Sequence, residues 1–419
     1  MASSATNRAI DAVWRIESAR LIAGLTRIVR DVAVAEDLAQ DALVAALEQW
    51  PTSGIPDNPG AWLMTAAKRR GIDDLRRRVT LERKRELIGR DLEILRQLDQ
   101  PDLATQVEDV QDDVLRLMFM TCHPVLTREA RVALTLRLLG GLSTPEIARA
   151  FLVSEGTVAQ RIVRAKRTLA EAHVPFELPS RDALDARVTA VLEVIYLVFN
   201  EGYAATAGER WIRPALCSDA LRLGRMLAAL MPREPEVHGL LALMELQASR
   251  LRARVGTQGE PVRLADQDRA RWDHLLVQRG LGELRRSEEL GGALGPYTLQ
   301  AAIAACHARA RSVEETDWPR IVALYDGLTA LTGSPVVELN RAVAVAMAFG
   351  PEAGLELVDS LVEEPALRRY HLLPSVRGDL LERLGRLAEA HEEFVRAADL
   401  CDNERERELL LSRALACDV

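Results

Sequence analysis

The chain has 419 residues and a net charge of −8, and 48% of its residues are hydrophobic although only 4% are aromatic. This length indicates two to three domains with ample material for a core, and the acidic balance excludes a uniformly basic nucleic-acid-binding protein, so any positive charge must be concentrated locally. The most apolar run, Val191 to Phe199, contains Glu193 and is too short for a bilayer, so we expect a cytoplasmic protein with no signal peptide and no membrane segment.

The composition and the absence of catalytic motifs favour an all-α protein that is not an enzyme. Ala, Leu, Arg and Glu dominate, and no segment alternates with a period of two. The sequence contains no HExxH, no GxSxG and no dinucleotide fingerprint, so we expect no cofactor and no metal. The five cysteines are far apart and form no CxxC pair, which favours buried thiols over disulfides or a zinc site: Cys122, Cys217, Cys306, Cys401 and Cys417.

Two helices are predicted over residues 10–50, divided at Asp31. The second begins near Ala35 and opens with an exposed acidic turn formed by Glu36, Asp37, Gln40 and Asp41. Acidic side chains at a helix start suit the helix dipole, which explains them without a partner. A surface that binds a basic partner is the alternative.

A cationic helix follows a loop that contains three prolines. The loop is predicted over Pro51–Pro59, and the helix begins near Ala61. Residues 61–85 hold nine Lys or Arg against three Asp or Glu. Such a run is either a solvated face or a groove that follows a nucleic-acid strand, and Trp62 is either a core residue or a stacking platform. The candidate contacts are Asp57, Asn58, Trp62, Lys68, Arg69, Arg70, Arg76 and Arg77.

A helix-turn-helix is predicted over residues 143–167, after an acidic linker. Ser143 and Glu146 have the spacing of a capping box, Pro145 stands near the first helical position, and Ser154 can cap the second helix. Val158, Ile162 and Ala165 face inward along that helix. Its outer face should offer polar and cationic groups to a DNA groove: Ser154, Thr157, Gln160, Arg161, Arg164 and Lys166.

The region after Pro179 is predicted to be helical, with repeats near its end. Gly378, Gly385, Ala390, Phe394 and Ala397 match the small and bulky positions of a tetratricopeptide repeat (TPR), which suggests about three divergent repeats between 297 and 410, although an ordinary helical bundle is the alternative. Asn200, Glu201 and Tyr203 beside Gly202 form either a helix-ending turn, with Gly202 in a left-handed cap, or a candidate ligand or docking site.

Three motifs in order resemble the extracytoplasmic-function (ECF) group of sigma-70 family sigma factors. The segments Ala35–Leu43 and Ala61–Arg78 resemble region 2, and residues 114–172 resemble region 4. The continuation beyond 180 is similar to the subgroup with a fused TPR-like extension. The implied domains are region 2 at 8–80, a linker at 81–112, region 4 at 113–175, a helical extension at 182–290 and TPR-like repeats at 291–419.

The resemblance implies a bacterial transcription initiation factor that brings RNA polymerase core enzyme to promoter DNA. Glu36, Asp37, Gln40 and Asp41 would contact the coiled coil of the largest polymerase subunit, and region 4 would meet the flap. The loop at 51–59 with the following helix would read the −10 element, and 143–167 the −35 element. The extension would modulate activity through a protein or intramolecular partner. A helix-turn-helix repressor or activator with a C-terminal effector domain is the alternative.

Overall fold

The computed structural model describes residues 2–81, 107–151, 153–205, 208, 211–257 and 259–418. For residues 2–8, 72–81 and 107–111 it describes the backbone only. Within these ranges there are eighteen α-helices, three short 3-10 helices and no strand. The all-α prediction is therefore confirmed. The chain divides into two compact units, Met1–Ile195 and Tyr196–Val419. Residues 82–106, most of the predicted linker, lie outside the described ranges.

Seven helices lie in the first unit, and an eighth crosses into the second. They are α1 (Ala2–Val29), α2 (Val32–Ser53), α3 (Pro59–Leu81), α4 (Val107–Thr121), α5 (Arg128–Leu138), α6 (Thr144–Ala150), α7 (Glu155–Glu171) and the boundary helix α8 (Arg181–Tyr203). Asp31 divides α1 from α2 as predicted, because its carboxylate accepts hydrogen bonds from the backbone N–H groups of Ala33 and Val34.

The predicted proline loop is shorter than expected. Helix α2 includes Pro51 and ends at Ser53, so the loop spans only 54–58. Proline lacks a backbone N–H, so Pro51 removes one hydrogen bond from the last turn of the helix. Backbone groups in that turn already lack some intrahelical partners, so the loss does not stop the helix before Pro51. Asn58 accepts a hydrogen bond from Ala61 N at 3.1 Å and starts α3.

The helix-turn-helix forms as its sequence predicts. Ser143 and Glu146 make both hydrogen bonds of a capping box at the start of α6, and the Ser154 side chain accepts from Thr157 N at the start of α7. Val158, Ile162 and Ala165 are buried on the inner side of α7. Local capping and helical periodicity therefore account for this motif.

The first unit packs its N-terminal helices against the region that carries the helix-turn-helix. Helix α1 contacts α2, α3, α4 and α5. Gly141, which has a positive φ of 67°, leads into α6, and a Cβ built there would lie 2.9 Å from Ser18 Oγ of α1. A side chain at Gly141 would push α1 away from the segment that leads into α6, so glycine permits their close approach.

The second unit is a series of helices in which sequence neighbours pack together. It contains α9 (Pro214–Leu230), α10 (Pro235–Ala248), α11 (His274–Glu289), α12 (Pro296–Arg309), α13 (Trp318–Thr332), α14 (Pro335–Phe349), α15 (Pro351–Ser360), α16 (Leu372–Arg383), α17 (Leu387–Leu400) and α18 (Glu404–Ala416). Gly378 lies against the fully buried Phe394 ring, and Ala390 and Ala397 are also fully buried. Gly350 and Gly385, 35 residues apart, both adopt positive φ between helices. The TPR-like assignment itself stays a prediction.

The expectation that Gly202 ends a helix in a left-handed cap is wrong. Gly202 lies inside α8 and is absent from the positive-φ positions of the described residues. A Cβ built on it would lie 2.7 Å from Cys217 N, at the start of α9. Glycine is needed there because two backbones approach closely.

Candidate functional site

The predicted acidic surface at the start of α2 is split by burial. Asp37 is exposed, and Gln40 and Asp41 are half-buried. Asp41 lies 3.6 Å from Arg70 of α3, measured from Oδ1 to Nη1. Glu36, in contrast, is only 3% exposed. The expectation that all four side chains form one exposed surface is therefore wrong for Glu36.

Glu36 contacts two cations from the region around the helix-turn-helix. Its Oε1 accepts from Arg137 Nε of α5 at 2.5 Å, and its Oε2 pairs with Lys166 Nζ of α7. The side chains of Arg137 and Lys166 are only 20% and 15% exposed. We call these three residues the Glu36 cluster. A carboxylate can be buried here because each of its oxygens faces a positive charge.

Two more ion pairs join the same parts of the first unit. Arg15 of α1 donates to Glu146 of α6 at 2.8 Å. Arg27 of α1 lies 3.1 Å from Asp113 of α4. Together with the Glu36 cluster, these pairs place opposite charges against each other at three points between helices α1 and α2 and helices α4 to α7.

The loop and α3 offer the residues predicted for single-strand contacts. Asp57 and Arg69 are exposed, whereas Asn58 caps α3 with its side chain. Trp62 is half-buried, and its ring meets that of Trp50 edge-on at 5.2 Å between centroids. Lys68 and Arg70 are half-buried on the same helix. Arg76 and Arg77 lie among the side chains that are not described.

The outer face of α7 carries most, but not all, of the predicted duplex contacts. Gln160 and Arg164 are exposed, Arg161 and Thr157 are half-buried, and Ser154 is occupied as the N-cap. Lys166 does not belong to this face, because it points into the Glu36 cluster. The prediction that Lys166 lies outside was wrong because helical periodicity places a residue near the boundary of a face without identifying its partner.

The segment around Tyr203 is held together by internal contacts. Arg254 stacks over the Tyr203 ring at 3.8 Å, and Arg250 donates to its hydroxyl at 2.6 Å. Glu201 pairs with Arg213, and Asn200 hydrogen-bonds Tyr196. Burial lowers the pKa of Arg254. These contacts account for Asn200, Glu201 and Tyr203 without a ligand. Arg250 and Arg254 were not predicted from the sequence because no local motif marks either residue.

A pocket of about 630 Å³ opens in the second unit. Apolar side chains, including Trp318 and Val343, line it together with His307 and several arginines. Burial and the charges of Arg250 and Arg269 lower the pKa of His307 to about 3, so the ring is neutral near pH 7. Its Nδ1 is buried without a hydrogen-bond partner among the described residues.

The comparisons with known families identify the two regions of the first unit. Residues 15–80 match the model of sigma-70 region 2, and residues 116–169 match that of sigma-70 region 4. Over 144 residues the chain is 31% identical to the ECF RNA polymerase sigma factor SigL of Mycobacterium tuberculosis, covering 34% of this chain and 76% of that relative. The chain belongs to the ECF group of sigma-70 family sigma factors.

Other relatives of this sigma factor differ in how much of it they cover. The probable ECF RNA polymerase sigma factor SigI of M. tuberculosis is 28% identical over 39% of this chain and 56% of its own length. An uncharacterized protein of Rhizobium meliloti is 45% identical over 388 residues, covering 91% of this chain and 89% of its own. Residues 187–288 match a family of unknown function, DUF6596. No solved structure matches the chain. Within the described ranges, every helix is too short or too polar to cross a membrane.

Proposed function

We propose that this sigma factor binds RNA polymerase core enzyme and directs it to specific promoters, and that it catalyses no reaction of its own. The observation that carries the proposal is the helix-turn-helix, whose α7 presents Gln160, Arg161 and Arg164 outward. These side chains are the types that read base edges and phosphates in a major groove. The match to both sigma-70 regions on one chain supports a sigma factor over a free-standing repressor.

We assign a surface to each of the three contacts. Asp37, Gln40 and Asp41 of α2 contact the coiled coil of the largest polymerase subunit, and region 4 meets the flap. The 54–58 loop and the cations of α3 hold the opened strand of the −10 element. The outer face of α7 binds the −35 element. The acidic and cationic surfaces meet at the ion pair between Asp41 and Arg70, and the exposed Asp37 lies outside this pair.

We propose that the described conformation is a closed form that opens in the initiation complex. Lys166 pairs with Glu36, so it cannot reach a phosphate while this pair persists. Glu36, in turn, is covered by Arg137 and Lys166 and cannot reach the polymerase. We infer that the regions carrying α2 and α7 separate when polymerase and promoter bind. Lys166 then becomes a phosphate contact and Glu36 becomes part of the polymerase surface.

Gel filtration with core enzyme and in vitro transcription test the assignment. The full-length protein should co-elute with core polymerase and start transcripts at promoters selected from a random library. Gln160→Ala should change which −35 sequences are selected and leave co-elution intact. A protein that binds a duplex operator alone, without co-elution or promoter-dependent transcripts, would be a repressor.

The second unit is proposed to modulate this activity through a protein or intramolecular partner. Its successive helix pairs are typical of folds that bind other chains through extended surfaces. Gly378→Trp would place a side chain against Phe394 and disrupt the last helix pairs. Promoter-dependent transcription should then change several-fold, whereas Gly282→Ala, at a position with nothing within 4 Å of the new Cβ, should leave it unchanged. If both variants transcribe as the wild type does, the second unit does not modulate transcription.

A further inference from the structure

Three potential metal ligands meet at the last helix pairs of the second unit. His371 precedes α16, Cys401 ends α17, and Glu406 lies in the first turn of α18. One ligand atom from each side chain can be chosen so that all three lie within 4.8 Å of one another. The three come from separate helix ends, so the tertiary fold brings them together.

The distances correspond to the edges of a small coordination polyhedron. His371 Nε2 lies 3.2 Å from Glu406 Oε1, and Cys401 Sγ lies 3.7 Å from Glu406 Oε2. A tetrahedral zinc ion with bonds of about 2.0–2.3 Å has ligand-to-ligand edges of roughly 3.3–3.8 Å. Each of these two distances, measured to a different oxygen of Glu406, is close to such an edge, and small side-chain rotations can bring one oxygen to both partners.

His371 has a buried ring nitrogen that makes no hydrogen bond within the described residues. Its Nε2 atom is buried and has no hydrogen-bond partner among the described residues, although the Glu406 carboxylate is within contact distance. The imidazole nitrogen and the carboxylate oxygen are close together but are not aligned as donor and acceptor. Both atoms can therefore bind one ion placed between them. The Cys401 residue is only 1% exposed, so its thiol is shielded from bulk water.

The surrounding loop is fixed before any ion binds. Asn403 caps α18 by accepting from Glu406 N at 3.2 Å, and its Nδ2 donates to Ala205 O at the same distance. Arg407 donates twice to the Cys401 carbonyl. Ligands that are held by such contacts lose little conformational entropy on binding an ion.

We propose that His371, Cys401 and Glu406 bind one zinc ion, with a fourth position open to water or an external ligand. A thiolate, an imidazole and a carboxylate together suit zinc, whereas calcium and magnesium take oxygen ligands. On binding, the thiol S–H bond breaks, its proton leaves to solvent and the sulfur forms the bond to zinc, with no change in oxidation state. Such an ion ties the start of α16 to the turn between α17 and α18.

Cobalt substitution in the full-length protein tests this site. The protein is treated with a chelator, freed of it and titrated anaerobically with Co²⁺. We expect one equivalent to produce a thiolate-to-cobalt charge-transfer band and the visible bands of a tetrahedral site, and one equivalent of Zn²⁺ to abolish both. Cys401→Ser should remove the charge-transfer band. Cys417→Ser and His391→Gln change a cysteine and a histidine of the same helix pairs outside the cluster and should retain every band.

Glu406→Gln keeps the side-chain volume and covers the case in which Cys401→Ser does not fold. It should weaken Zn²⁺ binding at least tenfold in competition with a chromophoric chelator. The proposal is overturned if no cobalt band appears at saturation, if the band survives in Cys401→Ser, or if Glu406→Gln binds zinc as tightly as the wild type. None of these measurements depends on transcription, so they stand apart from the test of sigma-factor activity.

Discussion

Glu36→Gln should open the first unit. The change removes a carboxylate that is 3% exposed and leaves Arg137 and Lys166 facing a neutral amide. Breaking a buried ion pair by removing one partner costs about 3–5 kcal/mol. The amide keeps the volume and one acceptor, and the two cations retain 20% and 15% exposure. We therefore expect a loss of about 2–4 kcal/mol for the closed form, which is about 30- to 700-fold in its equilibrium with the open form.

Acylation of Lys166 measures this opening directly. The chain contains three lysines, Lys68, Lys84 and Lys166, so peptide mass spectrometry resolves each one. In the wild type the Lys166 amine is held by Glu36 and should react slowly relative to the same amine in the urea-unfolded protein. In Glu36→Gln its relative rate should rise at least tenfold, because both the cover and the ion pair are lost.

Asp37→Asn is the matched control, since it removes the same charge one residue away on the exposed side of α2. Its Lys166 labelling should stay within twofold of the wild type, but its binding to core polymerase should weaken. Glu36→Gln should differ from this control in its fast Lys166 labelling, because only Glu36 pairs with Lys166. Lys166 labelling that is equally slow in Glu36→Gln and the wild type would refute the closed form as described.

Three further outcomes follow from individual side chains. Gln160→Ala should cost about 1–3 kcal/mol at its cognate −35 base pair and almost nothing on other sequences, measured by anisotropy with duplexes that differ at single positions. Gly202→Ala should lower the unfolding free energy by about 1–3 kcal/mol, because its Cβ would lie 2.7 Å from Cys217 N, whereas Gly282→Ala, with an open position in a helix, should raise it by about 0.5–1 kcal/mol. Because the folded-state pKa of His307 is lowered to about 3, the unfolded chain takes up its proton first. Stability should therefore fall by up to about 1.4 kcal/mol per pH unit below pH 6.5, and His307→Phe should flatten this slope in urea titrations.

The parts of the fold that the sequence predicted are those that local chemistry determines. The capping box at Ser143, the cap at Ser154 and the break at Asp31 all depend on side chains that bond to backbone within three residues. Gly202 was misinterpreted because its role depends on α9 passing close by, which no local pattern encodes. Pro51 was misplaced for a related reason, since a proline signals a break but does not locate it within a turn.

The candidate site was predictable in its chemistry but not in its pairing. Helical spacing and charge select α2, α3 and α7 as candidate functional surfaces. They could not show that Glu36 pairs with Arg137, which lies 101 positions later in the chain. An acidic residue near the start of a helix and a basic residue near the end of another each stabilise their own helix dipole, so neither needs a partner to explain it. Likewise, the absence of a CxxC motif argued against a zinc site, although His371, Cys401 and Glu406 meet only after folding.

We propose that the Glu36 cluster makes the two binding functions of this sigma factor interdependent. In the proposed closed form, the same ion pairs withhold Glu36 from polymerase and Lys166 from DNA. A closed form favoured by about 2 kcal/mol weakens the apparent affinity of the free protein for promoter DNA about 30-fold, because only the open fraction binds. Polymerase that binds the open form removes this penalty, and promoter DNA then binds without it. By reciprocity, DNA strengthens polymerase binding by the same factor, so in this proposed closed form the Glu36 cluster couples the two binding steps.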